Sequence, residues 1–275
     1  MELQDKLEKL KKIIEGMGKL AVAYSGGVDS TLLLNVAHNV LKSNVIAITA
    51  RSSTYPEREY REAVNFVEKL GIRHITIISE ELDIEGFSGN PVNRCYFCKK
   101  ELFTKIGEVA AQHGIKYIAD GSNTDDLGDY RPGMTAIKEL GIVSPLREAE
   151  LSKDDIRILS REMNLPTWDK QPFACLASRF PYGQEITKDK LSMVDRAEQY
   201  LMDIGFKQVR VRHHGDIARI EVSAYERSRF YDEQLMDKVH DRLKEIGFKY
   251  IALDLRGYRT GSMNEVIDVS RGRFS

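Results

Sequence analysis

The stretch LAVAYSGGVDS, residues 20–30, constrains the fold of this chain more than any other. An apolar run of strand length leaves through a serine and two glycines, and apolar residues then return at Leu32, Leu33, Leu34 and Val36 with the density of a helix face. The segment therefore reads as strand, tight turn, helix. Such a turn aims backbone N–H groups and a helix N-terminus at whatever lies above the sheet, and the natural guest is an anion.

The same alternation continues through the first half of the chain. LAVAY (20–24), NVIAITA (44–50), HITIIS (74–79) and KYIADGS (116–122) read as strands, and helical patterns fall at about 30–42, 56–70, 93–113 and 152–163. Short apolar strands separated by helices predict an α/β fold with a parallel sheet covered on both faces, whose ligands bind at the carboxyl ends of the strands. After about residue 180 the pattern changes to a helix at 187–204, the strands KQVRVRH and ARIEV, a helix at about 224–246, and the strand YIALDL. The expected division is a larger domain over 1–180 and a smaller α/β domain over 181–275, the latter serving substrate binding or oligomerisation. Within the smaller domain LMDIGFK (201–207) resembles LKEIGFK (243–249), either a duplicated unit or two uses of one common helix-to-strand exit.

Charged residues make up 30% of the 275 positions and the formal net charge is −1, so no general grip on nucleic acid or membrane is expected, although a local basic patch is compatible with these totals. The opening MELQDKLEKLKKIIEGMG is too charged for a signal peptide and reads as an amphipathic helix. No stretch has the length and apolarity of a membrane span, and an odd count of three cysteines fits a reducing, cytoplasmic setting.

Those cysteines invite a chemical reading. Cys95 and Cys98 form C-Y-F-C on a helix, where a spacing of three puts both sulfurs on one face, and Cys175 lies in the Pro- and Gly-flanked loop QPFACLASRFPYG. Structural zinc normally takes four ligands, and no histidine stands at zinc-like spacing here. A redox C-x-x-C would leave Cys175 without a task. A 4Fe–4S cluster on three thiolates uses all of them and keeps one iron open to exogenous sulfide. Direct donation of a cysteine sulfur, and three unrelated buried cysteines, stay open beside it.

The turn lacks the lysine of a Walker A loop. SGGVDS instead resembles the PP-loop of the ATP pyrophosphatases. Together with GSNTDDLGDYRPG, ASRFPYG and VRVRHHGDIARIEV it is similar to the LarE family of PP-loop sulfur transferases, across both halves of the chain. The resemblance implies that Ser25, Gly26, Gly27 and Ser30 hold the departing pyrophosphate, with Asp29 near the phosphates and Mg²⁺. It further implies that ATP adenylylates a carboxylate of pyridinium-3,5-dicarboxylic acid mononucleotide and that sulfur, from sulfide or another donor, replaces AMP in the synthesis of a nickel-pincer cofactor. Some members sacrifice the sulfur of a single cysteine. This chain departs from them in having Cys95 and Cys98 beside Cys175, which favours the cluster-dependent branch.

Further roles follow from residue type within these segments. Lys99 and Lys100 are candidates to meet phosphate or the adenylate, and Asp125 and Asp126 to assist Mg²⁺. Ser178 and Arg179 flank Cys175, and Arg179 is expected to hold the substrate carboxylate or the AMP phosphate. Arg210 and Arg212 alternate on one strand and share a face, a candidate clamp for the substrate's phosphate with Arg259 of GYRTG as third member. A homo-oligomer is the expected assembly. The competing readings are a PP-loop tRNA thiolation enzyme, from which a broadly basic face or a zinc-finger module would be expected, and a non-catalytic nucleotide-binding or metal-sensing protein. Kinship with an amidotransferase or NAD synthetase accounts for the turn but gives the cysteines no task.

Overall fold

The computed structural model describes residues 2–128, 132–171, 174–259, 267–268 and 273–274. Residues 129–131 of the GSNTDDLGDYRPG segment, 172–173 before Cys175, and 260–261 of GYRTG lie outside the described residues. The chain forms two compact units, one from residues up to Phe87 with Val92–Phe173, the other from Ser88–Pro91 with the chain from Ala174 onwards.

In the first unit, helix α1 (Leu3–Met17) precedes β1 (Leu20–Ala23), α2 (Val28–Leu41), β2 (Val45–Arg51), α3 (Glu57–Lys69) and β3 (Arg73–Ile78). Then come α4 (Arg94–Gln112), β4 (Tyr117–Ala119), α5 (Pro132–Glu139), α6 (Pro145–Glu148) and α7 (Lys153–Glu162). The four strands pair in parallel in the order β3-β2-β1-β4. Alternate strand residues go to opposite faces, as a pleated strand requires. Leu20, Val22, Val45 and Ala47 join a core with Leu7, Leu10 and Ile14 of α1, Leu32 and Leu33 of α2, Phe66 of α3, and Ile156 and Leu159 of α7. Ala21, Ile46 and Ile48 join a second core with Phe103, Ile106 and Ala110 of α4 and Ile137 of α5. Helices on both faces of a parallel sheet are the expected α/β architecture of a PP-loop domain.

The strand order reverses at β1: β2 and β3 extend to one side and β4 lies on the other. The loops leaving β1 and β4 thus open a crevice at the carboxyl edge of the sheet, where such folds bind ligands. Strand β4 is shorter than the sequence pattern; past Ala119 the Asp120 N–H donates to Val143 O (3.0 Å), and the Asp120 carboxylate accepts from the Ser122 and Ser144 hydroxyls. Among the described residues no helix is long and apolar enough to cross a membrane.

The second unit contains a 3₁₀ turn at Leu176–Arg179, α8 (Lys188–Asp203), β5 (Val209–His214), β6 (Ile217–Val222), α9 (Glu233–Ile246) and β7 (Tyr250–Leu253), and a short pair β8 (Ile267–Asp268) with β9 (Arg273–Phe274). Strand β6 pairs antiparallel with β5 and parallel with β7. The two similar segments end α8 and α9 alike. Gly205 and Gly247 have φ of 94° and 128°, and the N–H groups of Phe206 and Phe248 donate to Leu201 O (3.1 Å) and Leu243 O (3.2 Å). The strands that follow run in opposite directions. Helix α9 begins later than the pattern predicts, at Glu233, because the Asp232 carboxylate accepts from the N–H groups of Gln234 and Leu235 and caps it there.

Ser88–Pro91 belongs to this second unit through Asn90, which is fully buried at φ 54°. Its side-chain amide donates to the carbonyls of Phe180 (3.1 Å) and Pro181 (2.7 Å), while its own carbonyl accepts from Gly183 N–H (3.0 Å).

Candidate active site

The PP-loop curls around one hydroxyl. Ser30 Oγ accepts from the Ser25 N–H (3.3 Å), donates to Gly27 O (3.3 Å) and lies 3.1 Å from Ser25 Oγ. Gly26 has φ 65°, and a Cβ there would stand 2.9 Å from Ala63 Cβ, so backbone conformation and space both demand glycine. Gly27 stands at the N-cap of α2 without a side-chain cap, which leaves the first turn of the helix suited to an external acceptor. Two side chains brace the loop from outside. The Tyr55 hydroxyl donates to Ser25 O (2.8 Å), and Lys170 Nζ donates to Gly26 O (3.3 Å) while pairing with Glu59 and Glu62 at 2.7 Å each. Burial pushes the Glu62 carboxyl up, but the hydrogen bonds and charges of Lys170 and then Arg58 together hold it below its usual value.

Asp29 faces the loop that follows β4. Its Oδ2 pairs with Lys153 Nζ, and Oδ1 accepts from the Asn123 side-chain amide (3.3 Å). Asp125 closes the ring: its N–H donates to Asn123 Oδ1 (2.9 Å), and its Oδ2 accepts from the Lys153 N–H (2.7 Å) at the start of α7. Asp126 accepts from the Asn123 N–H (2.9 Å). This approach depends on Gly121, where a Cβ would stand 3.1 Å from Ser30 N and 3.2 Å from Asp29 Cβ. Asp29, Ser25 and Ser30 are thus brought together with Asp125. Asn123, Lys153, Lys170 and Tyr55 are members the sequence reading missed. The one local signal for Lys153 was the Ser152 capping box, which starts α7 at that residue.

Cys95 is exposed and Cys98 half-buried in the first turns of α4. The Cys98 thiol lies 3.8 Å from Oε1 of Glu81, whose carboxyl burial pushes up despite hydrogen bonds from Ser52 and Thr54. Lys99 and Lys100 lay their ammonium groups over the rings of Phe103 (5.2 Å) and Tyr96 (5.7 Å). The thiols are soft donors of the type iron–sulfur clusters take, but among the described residues no three His, Cys, Asp or Glu side chains gather as a metal-binding group.

In the second unit the half-buried Cys175 opens the 3₁₀ turn, and its carbonyl accepts from the Ser178 N–H (3.0 Å). Arg179, expected to reach for substrate, is 1% exposed and turned inward. Nε and Nη2 donate to the two carboxylate oxygens of Glu198 (2.8 and 2.9 Å), and Nη1 donates to Ala174 O (2.7 Å), Cys175 O (3.2 Å) and Ser178 Oγ (2.9 Å). A buried guanidinium requires such pairing. Burial works against both charges, yet each outweighs it for the other, so the Glu198 carboxyl is held below its usual value and Arg179 above its own. Arg179 therefore holds the Cys175 turn in shape, which corrects the expected contact with substrate.

Arg210 and Arg212 share a face of β5 as their spacing predicts. Arg212 donates to Glu221 (2.7 Å) and Ser178 O (3.0 Å), and Arg210 donates to Val209 O (2.7 Å) with its guanidinium 5.2 Å over Tyr258. Arg219 also pairs with Glu221 (2.8 Å), and Arg259 lies 3.4 Å from Asp254. Burial, and next the positive charge of Arg179, push Arg210 below its usual value. Arg179, Arg212, Arg219 and Arg259 are thus engaged with Glu198, Glu221 and Asp254, and Arg210 with a backbone carbonyl and the Tyr258 ring.

Residues 2–88 match the NAD synthase family. The chain is 43% identical to an uncharacterized protein of Synechocystis, covering 96% of this chain and 99% of that one. It is 37% identical to the pyridinium-3,5-bisthiocarboxylic acid mononucleotide synthase of Lactiplantibacillus plantarum, over 96% of both chains. The glutamine-hydrolyzing GMP synthase of Aeropyrum pernix is 26% identical over 70% of this chain and 40% of its own.

Proposed function

The chain belongs to the LarE family of PP-loop ATP-dependent enzymes, and from that premise we propose that it adenylylates pyridinium-3,5-dicarboxylic acid mononucleotide and replaces AMP with sulfur, in nickel-pincer cofactor synthesis. The observation that carries the reading is the SGGVDS turn at the β1/β4 switch point, within a chain similar to the Lactiplantibacillus synthase along almost its whole length.

A substrate carboxylate oxygen attacks the α-phosphorus of ATP, the bond to the β-phosphate oxygen breaks, and the electron pair leaves with pyrophosphate. Ser25, Gly26, Gly27 and Ser30 receive that leaving group with hydroxyls, close backbone and the N-terminus of α2. Asp29, assisted by Asp125 and Asp126, would hold Mg²⁺, which offsets phosphate charge when bound. A sulfur nucleophile then attacks the activated carbonyl carbon, the C–O bond to AMP breaks, and a thiocarboxylate remains. Arg210, Arg212 and Arg259 bind the mononucleotide's phosphate, and Lys99 and Lys100 attend the adenylate.

For sulfur delivery, our reading is a 4Fe–4S cluster on Cys95, Cys98 and Cys175. Such a cluster would supply the sulfur and spare the side chains. The support is the complement of three thiols, two of them at one-face spacing on α4. The alternative is sacrifice of Cys175 itself.

The test follows AMP, pyrophosphate and the acceptor's mass with ATP, Mg²⁺, sulfide and the pyridinium mononucleotide. Acceptor-dependent AMP formation and exchange of one oxygen for sulfur are expected, both lost in Asp29→Asn and Ser30→Ala. Normal adenylylation by both variants would overturn the reading. Loss of H₂S from Cys175 after one turnover, with Cys95→Ala and Cys98→Ala still active, would replace the cluster by the sacrificial route.

A further inference from the structure

We infer that His214 and Arg219 form a proton-coupled binding site for a phosphate group on one face of the smaller unit's sheet, an inference that rests on the substrate reading above only for whose phosphate it is. The register of β5, β6 and β7 lays that face out in rows. Arg210 stands beside Glu221, Arg212 beside Arg219 and Ala252, and His214 beside Ile217 and Tyr250. Arg219 and His214 are therefore diagonal neighbours, a separation that long side chains can span. Ile217 and Tyr250 are exposed, so solvent reaches the row that holds His214.

Among the described residues, Nε2 of His214 and Nε of Arg219 are buried and make no hydrogen bond. The rest of the Arg219 guanidinium is committed, Nη2 to Glu221 (2.8 Å) and Nη1 towards Asp254 (3.7 Å). Buried polar atoms left in this way are few in a folded protein, and a guanidinium Nε–H can only donate. The partner it lacks is an acceptor, and an imidazole with its proton on Nε2 calls for the same. The charged groups around that imidazole are Arg212 on its own strand and Arg219 and Glu221 on β6. Strand β7 adds Tyr250 to its row, while Asp216 in the hairpin turn pairs with Lys249 (2.9 Å) and His213 stacks on Phe180 from the opposite face. Burial first, then the positive charges of Arg219 and Arg212, hold His214 below its ordinary value, so the empty site keeps it neutral. An arriving dianion reverses the sign of the local charge. The imidazole then takes up a proton and gains a charge-assisted bond.

Calorimetric titration with inorganic sulfate, a tetrahedral dianion that does not itself titrate near neutral pH, tests this without turnover, with circular dichroism melts to confirm folding. The wild-type chain binds, and runs in buffers of different ionisation enthalpy show uptake of part of a proton. His214→Ala weakens binding by about tenfold, the usual scale of a lost charge-assisted hydrogen bond. His214→Gln recovers part of the affinity and none of the proton uptake. Arg219→Lys, which keeps a positive charge for the buried Glu221 but has no Nε–H, also weakens binding. Unchanged affinity in His214→Ala or in Arg219→Lys, proton uptake that survives in His214→Gln, or no sulfate binding by the wild type overturns the inference. The pyridinium mononucleotide should displace the sulfate. Failure to displace it, with the dependence on His214 intact, keeps the pair as an oxyanion site and removes the substrate's phosphate from it; adenylylation at the PP-loop is untouched by either result.

Discussion

Beside the PP-loop the Asp29–Lys153 pair stays accessible, with 24% and 30% of the two side chains exposed. Around Cys175 the opposite holds, with Arg179 and Glu198 at 1% and 5% and every guanidinium nitrogen engaged. The first arrangement leaves both charges within reach of solvent. The second has met its desolvation cost on folding and holds the turn that carries Cys175 in one shape. The difference is one of burial: a pair open to solvent against a pair closed off from it.

The largest expected effect breaks the rigid side. Arg179→Ala leaves Glu198 buried without its guanidinium partner, held only by the Val211 N–H (2.8 Å) and the nearby charge of Arg210, and should cost about 3 kcal/mol in denaturant unfolding. The same pair gives an acid limb. The Glu198 carboxyl is depressed in the folded state, so its contribution is present above the ordinary glutamate range, about pH 4.3, and is lost as pH falls through its lower folded value. Stability measured against pH should fall more steeply there in the wild type than in Glu198→Gln.

Next comes the loop. Gly26→Ala must give up φ 65° or push Ala63 aside, and AMP formation should drop by about a hundredfold, the scale of an ångström's misplacement, in a protein that still melts cooperatively. A drop in stability without a drop in AMP formation would make Gly26 a folding residue only. Arg210→Ala should then raise the KM for the pyridinium mononucleotide by about tenfold with little change for ATP. Equal effects on both substrates would erase the contrast between the two regions. Smallest is Tyr55→Phe, which removes one neutral hydrogen bond to Ser25 O and should weaken ATP binding by about threefold.

The sequence pattern carried the strands, the helices and the PP-loop because each is local: apolar spacing, glycine and caps act within a few residues. It misplaced the start of α9 by overlooking Asp232 as a cap. It saw Arg179 as a ligand group because residue type speaks for charge, whereas the inward turn depends on Glu198 arriving from α8. Lys153 was invisible for the same reason, since its partner Asp29 lies 124 positions earlier. Side-chain direction at such sites is set by tertiary packing, which no short window contains.

Asn90 carries a consequence for how this protein can be divided and inherited. The chain contributes Ser88–Pro91 to the smaller unit long before Ala174 begins the rest of it, so that unit is sewn from two stretches of the gene. A fragment starting at Ala174 would leave the carbonyls of Phe180 and Pro181 without their amide donor, and one ending before it would carry a buried-type asparagine with nothing to close upon. The smaller unit is therefore not a cassette that recombination can append or remove at a single junction. A chain nicked once between residues 91 and 174 should still migrate as one particle, its halves pinned by a four-residue strap.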